Sequence, residues 1–121
     1  MDPRADAAAA LGDPVITEAT ARATAVFPAI LPVFDGHFPG NPLVPGVHQV
    51  ALIAQLARHA LGQPELVITA IERCKWLRPL LPGQALTVEA AWRADGDGWR
   101  IDGVVRDDVA VACQVRLRLG R

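Results

Sequence analysis

The segment from Val47 to Leu61, VHQVALIAQLARHAL, limits the possible folds more than any other part of the chain. Its alanine and leucine content, and its stop at Gly62 and Pro64, predict a helix. Val50 to Ala54 is apolar on every side of that helix. A surface helix keeps one wet face, so this one has to be surrounded over its first half. It is expected to reach water only near Arg58 and His59.

Whatever surrounds the helix must come from the rest of the chain, and that is strand material. Arg22 to Phe27 reads as a strand before the helix. After it, Leu66 to Ile71 is an apolar run, with Cys74, Trp76 and Leu77 in the same or a following strand, until Pro79, Pro82 and Gly83 break it. Leu86, Val88, Ala90 and Trp92 then alternate with more polar or smaller neighbours. So do Trp99, Ile101, Gly103 and Val105, and again Val109, Val111, Cys113, Val115, Leu117 and Leu119. The turn cluster Ala94 to Gly98 and the pair Asp107-Asp108 separate these runs. The pattern is an antiparallel meander with one buried and one wetter face. One buried helix and one curved antiparallel sheet pack most simply with the sheet wrapped around the helix, which is the α+β hotdog architecture. A single domain over residues 1–121 is expected, with residues 1–14 forming a short helix or a flexible N-terminus.

Composition removes several classes of function. Lys plus Arg number 12 against 13 Asp plus Glu, a formal net charge of −1, so the basic excess of a nucleic-acid binder is missing. No apolar run reaches the roughly 18–20 residues that span a bilayer, and Met1 to Asp13 lacks the basic start and apolar stretch of a secretory signal. A cytoplasmic protein is expected. Cys74 and Cys113 sit in apolar alternating segments and read as small core residues rather than a redox pair. Trp76, Trp92 and Trp99 read as core or interface aromatics. Neither metal-ligand spacing nor a nucleotide-phosphate loop is present.

Pro28 to Gly46 is the most unusual stretch. Prolines at 28, 32, 39, 42 and 45 and glycines at 36, 40 and 46 argue against regular structure. The apolar residues Ile30, Leu31, Val33, Phe34, Phe38, Leu43 and Val44 nevertheless predict a stiff loop packed on the body, the kind that usually serves a function. Within it, Gly36-His37-Phe38-Pro39-Gly40-Asn41-Pro42-Leu43-Val44-Pro45-Gly46-Val47 closely resembles the signature G-H-F-P-x-x-P-x-x-P-G-V of the β-hydroxyacyl-acyl-carrier-protein dehydratases, the FabZ, FabA and ApeI type of hotdog protein. Every fixed position is matched. Ala54-Gln55 keeps the family's spacing on the helix, and Lys75 to Gly83 resembles the family's K-F-x-x-P-V-x-P-G strand and turn.

The resemblance implies a mechanism and a site. The loop histidine, here His37, takes a proton from the carbon beside the thioester carbonyl. The backbone at the helix start, Gly46 and Val47, polarises that carbonyl, with Phe38, Pro45 and Gln55 in the binding site. The acyl group arrives on the phosphopantetheine of an acyl carrier protein, and no other cofactor is implied. The site is shared across a two-fold dimer, so a homodimer or higher homo-oligomer is expected, or a heterodimer with a hotdog homologue. The chemistry suits these residues. A neutral imidazole is a base near pH 7, and free amides at a helix start can stabilise an enolate oxygen.

One position departs from the pattern. The family's helix acid falls four residues after the P-G-V valine, and Ala51 stands there. No Asp or Glu occurs from Val47 to Gln63. His48, three residues before Ala51 and on the same expected helix face, is either a replacement proton donor or a histidine that only bonds a loop carbonyl or a partner chain. Gln55 either orients a water or the thioester, or plugs the loop, and Asp35 either joins the chemistry or caps a turn. Three functions remain open: a variant dehydratase of fatty-acid, polyketide or polyene biosynthesis forming a trans-2-enoyl thioester, a hotdog thioesterase, and a half-catalytic or non-catalytic subunit whose partner supplies the acid.

Overall fold

The structure is a computed structural model and describes residues 2–36, 40 and 42–121. The expected helix runs from Gly46 to Leu61 (α3), and Gly62 ends it at φ 66° with its amide bonded to the carbonyls of Arg58 and His59. A left-handed terminator of this kind favours glycine. Two helices precede it, α1 (Pro3–Ala10) and a single turn, α2 (Val33–Gly36). The strands are β1 (Val15–Ile16), β2 (Thr20–Ala25), β3 (Val67–Trp76), β4 (Leu86–Asp95), β5 (Gly98–Arg106) and β6 (Val111–Gly120). They form one antiparallel sheet in the order β1-β2-β4-β5-β6-β3. This is the hotdog fold.

Alternation decides which face meets the helix. Ala21, Ala23 and Ala25 of β2 pair with Ala90, Val88 and Leu86 of β4, and all six side chains are buried. Ile101 and Val105 of β5 and Val115, Leu117 and Leu119 of β6 continue the same layer. From α3, Leu52, Ile53 and Leu56 are fully buried against it, each stabilising the fold by about 1.5–3 kcal/mol. Gly103 of β5 sets how closely the helix approaches. A Cβ there would lie 2.4 Å from Ile53 Cγ2 and 3.0 Å from its Cγ1.

Four sequence expectations are corrected. The proline-rich stretch contains a helical turn, α2, because Pro32 stands just before it, where a missing amide costs nothing. Cys113 is buried, but Cys74 is exposed on β3, whose ten residues are all exposed because β3 is the outer strand. Val109 lies 73% exposed in the turn before β6 rather than in the strand. Arg58 does not reach water and is only 4% exposed. Its guanidinium folds back, Nη2 donating to Gln55 Oε1 at 3.0 Å and Nη1 to the Leu66 carbonyl at 3.4 Å. The adjacent His59 is exposed, as expected.

Candidate active site

Helical periodicity places Gly46, Val50, Ala54 and Arg58 in one stripe along α3, with Val47 and Ala51 beside it. The stripe forms one wall of a groove of about 630 Å³. Ile68, Ile71, Cys74 and Trp76 of β3 form the facing wall, and the first residues of α1, Asp2 to Arg4, border it. A concave, mostly apolar site of this size suits a small-molecule chain. A depression of about 590 Å³ also lies on the outer face of the sheet, among Arg22, Glu89, Asp102 and Arg116. Among the described residues, it holds none of the signature.

The start of α3 is held open toward the groove. Pro45, itself buried, provides no side-chain cap. The first turn's backbone bonds run from His48 and Gln49 to the Pro45 carbonyl at 3.1 and 3.2 Å. The amides of Gly46 and Val47 stand ahead of those bonds, where a helix leaves its donors free. Gly46 also gives the aromatic wall room, since a Cβ there would meet Trp76 Cζ2 and Cη2 at 2.9 Å. The loop before the helix is fixed by two contacts: Val44 N donates to the Leu80 carbonyl at 2.8 Å, and Gln49 Nε2 donates to the Val44 carbonyl at 3.2 Å. Gln49 is buried and was not among the expected site residues. Its position next to His48 in a polar helical start was the only signal.

The structure thus brings Gly46, Val47 and Ala51 together on the groove, with Pro45 just behind. It places two other candidates elsewhere. His48 is three residues from Ala51 yet does not line the groove. It is fully buried, with Nε2 2.9 Å from Asp6 Oδ2 and its ring edge-on to Phe27 at 5.6 Å. The expectation of a shared face fails because α1 packs across this side of α3 and its carboxylate draws the imidazole toward itself. Nδ1 of that imidazole has no partner among the described residues. Gln55 accepts from Arg58 and borders, with Arg4, Arg58 and His59, a recess that adjoins the groove at the two arginines. Asp35 is exposed on α2. His37 and Phe38 lie outside the described residues.

Burial shifts Arg58, Cys74 and Cys113, and it raises the Cys74 thiol on the groove wall. Desolvation, and then the nearby Arg4 cation, lower the Arg58 guanidinium to about 10. Desolvation raises the Cys113 thiol to about 11, so it is a poor nucleophile at neutral pH. Among the described residues, no helix is long and apolar enough to cross a membrane.

Comparison with known proteins agrees with this geometry. The ApeI-like family model, ApeI dehydratase, matches residues 14–112. The 3-hydroxyacyl-acyl-carrier-protein dehydratase FabZ of Proteus mirabilis is 33% identical over 99 residues, covering 74% of this chain and 66% of the relative. That of Acidiphilium cryptum is 38% identical over 89 residues, covering 65% and 54%. The chain therefore spans roughly half to two thirds of these relatives' length. Among solved structures, the dehydratase heterocomplex ApeI:P from Xenorhabdus doucetiae superposes with a TM-score of 0.70 at 28% identity, covering 87% of this chain and 90% of that one. The PaaI protein of the Escherichia coli phenylacetic acid degradation operon, with a TM-score of 0.70 at 22% identity over 98% and 87%, shares the fold. A matched signature, an apolar groove at the open start of a wrapped helix, and a family model spanning most of the chain place this protein in the ApeI-like dehydratase family of hotdog proteins.

Proposed function

We propose that this chain removes water from a 3-hydroxyacyl thioester carried on the phosphopantetheine of an acyl carrier protein, giving the trans-2-enoyl thioester. The observation that carries the proposal is the apolar groove that begins at the uncapped amides of Gly46 and Val47, the last two residues of the complete dehydratase signature. In this reading the thioester carbonyl accepts from those amides, and negative charge developing on its oxygen is stabilised by fixed donors at a positive helix end. His37 takes the proton from the carbon beside the carbonyl, the work of a general base for which an imidazole is suited. The bond from the β-carbon to the hydroxyl oxygen then breaks, and the departing hydroxyl leaves as water.

Ala51 supplies no acid for that last step. The imidazolium formed at His37 holds the proton just abstracted, and its return to the leaving oxygen balances the reaction without a second group. The role proposed for His48 is different: with Nε2 committed to Asp6, it anchors α1 on the central helix. A second reading is favoured by β3, which presents Val67, Ile68, Ile71 and Trp76 on an unpaired edge. Such an edge invites pairing with another chain. A homodimer would cover it. A hotdog homologue with an acid on its helix would cover it and also complete the pair of catalytic groups, in keeping with the likeness to a heterocomplex.

The test is incubation with a 3-hydroxyacyl-carrier protein followed by intact mass spectrometry. Loss of one water from the acyl group is the expected result. Release of the free acid would replace the dehydratase by a thioesterase. Water loss that appears only after adding an acid-bearing hotdog homologue would establish the two-subunit reading.

A further inference from the structure

The groove does not end as it begins. Its walls are apolar from Trp76 and Val50 onward, yet the stripe on α3 finishes in Arg58, and exposed Arg4 of α1 lies on the same border. Arg58 is almost fully buried, and among the described residues no carboxylate lies within salt-bridge distance of it. Its two Nη atoms bond neutral oxygens, and its Nε has no partner among those residues. The nearby charge that acts on it is another cation, Arg4. Arg4 Nη2 itself donates only to the Pro64 carbonyl. Asp2 is the one acid on the groove lining, and its Oδ1 is occupied by the amides of Arg4 and Ala5.

Burying a cation beside a second cation, with no counter-charge, is costly for folding alone. The cost is understandable if an anion completes the site. We propose that Arg58 and Arg4 form a terminal subsite that selects acyl chains ending in an anionic group, a carboxylate at the far end from the thioester. This rests on the reading of the groove as an acyl site with the thioester at Gly46. About 18 Å of helix separates Gly46 from Arg58 at 1.5 Å per residue. The subsite therefore meets the far end of an extended chain, not its reacting carbons. The phosphate of a pantetheine arm would leave the thioester in the opposite direction.

The test measures binding, not turnover. Saturated acyl-pantetheine thioesters of matched length, which have no β-hydroxyl to lose, are made with either a methyl or a carboxylate terminus. Each is titrated calorimetrically into the wild-type protein and into R58Q, R58K and R4Q, over a series of chain lengths. The expected result is a loss of about tenfold in affinity for the carboxylate-ended thioester in R58Q, as for removal of a charged partner. R58K retains most of the affinity, R4Q shows a smaller loss, and the methyl-ended thioester is unaffected. R4Q alters an exposed side chain, so its result does not depend on tolerance of the core. Equal losses for both termini, or none, would overturn the subsite and leave the acyl groove intact. If R58Q instead weakened only a 4′-phosphopantetheine thioester, the anion recognised would be the arm's phosphate and the proposal would fail. If neither thioester bound, both the subsite and the acyl reading of the groove would fall.

Discussion

Replacing Gly103 by alanine tests how the central helix is seated. Gly103 has no positive φ, so alanine can adopt its backbone conformation, and the added methyl would lie 2.4 Å from Ile53 Cγ2 and 3.1 Å from the Glu89 carbonyl oxygen. Ile53 is fully buried, and its β-branched side chain has one strongly preferred rotamer in a helix. The strain therefore has to move α3 or the strand. Overpacking of this kind costs about 1–3 kcal/mol, offset by up to about 1 kcal/mol from the stiffer unfolded chain. The net expectation is a loss centred on about 1–2 kcal/mol within a range of about 0–3, read as a fall in Tm of about 4–8 °C at the centre. Equilibrium unfolding at fixed protein concentration measures it. A double-mutant cycle makes the prediction specific. I53A alone costs about 2–5 kcal/mol, but it removes both γ carbons. In the double mutant the methyl introduced by G103A fills part of the vacated space, so the pair is more stable than the sum by about 1–2 kcal/mol. I53V keeps both γ carbons and gives no such rescue. A wild-type Tm for G103A with no rescue in the double mutant, or equal rescue by valine and alanine, would refute the seating of the helix described here.

D6A leaves the fully buried Nε2 of His48 without its acceptor and is expected to cost about 1–3 kcal/mol, with faster hydrogen exchange in α1 and little change in the β5–β6 pair. The Asp107 carboxyl is held below its ordinary range, chiefly by the amides of Ala110 and Val109 at 2.9 and 2.8 Å, with Arg78 at 2.9 Å adding to it. A depressed carboxyl stabilises the fold fully above its unfolded value near about pH 4 and loses that contribution as pH falls through the lower folded value. D107N should therefore lower the Tm at pH 7, with the gap to wild type closing as unfolding is followed into more acid solution. A51E returns a carboxylate to the groove beside Val50 and Ala54. Under the proposed reading it raises the dehydration rate by about tenfold or more, and a rate below wild type would argue that the groove accommodates no acid at that position.

Much of this was legible in the sequence for physical reasons. A helix apolar all round at Val50 to Ala54 needs a sheet on several sides, and two-residue alternation in the C-terminal half provides it. The signature ends in Gly46 and Val47, and these two residues open the helix and line the groove. What escaped depends on contacts between distant segments. Asp6 lies 42 residues from His48, and nothing in either local pattern says that α1 crosses the helix there. Arg58 was expected at water because charged side chains near a helix end usually are. Its spacing of four from Ala54, Val50 and Gly46 already put it on the groove stripe. Cys74 looked like a core residue because alternation reports a face and cannot tell an outer strand from an inner one.

In the proposed reaction His37 takes the proton beside the thioester carbonyl, in a site whose helix carries no acid. It is tested most directly in the hydration direction: the protein and a trans-2-enoyl thioester are incubated in deuterated water, and deuterium at the α-carbon of the 3-hydroxyacyl product is followed by mass spectrometry. Incorporation is expected with wild type, its loss in H37A, and its retention in a folded H48F variant. Incorporation that survives in H37A, or a wild type that incorporates no label, would contradict it.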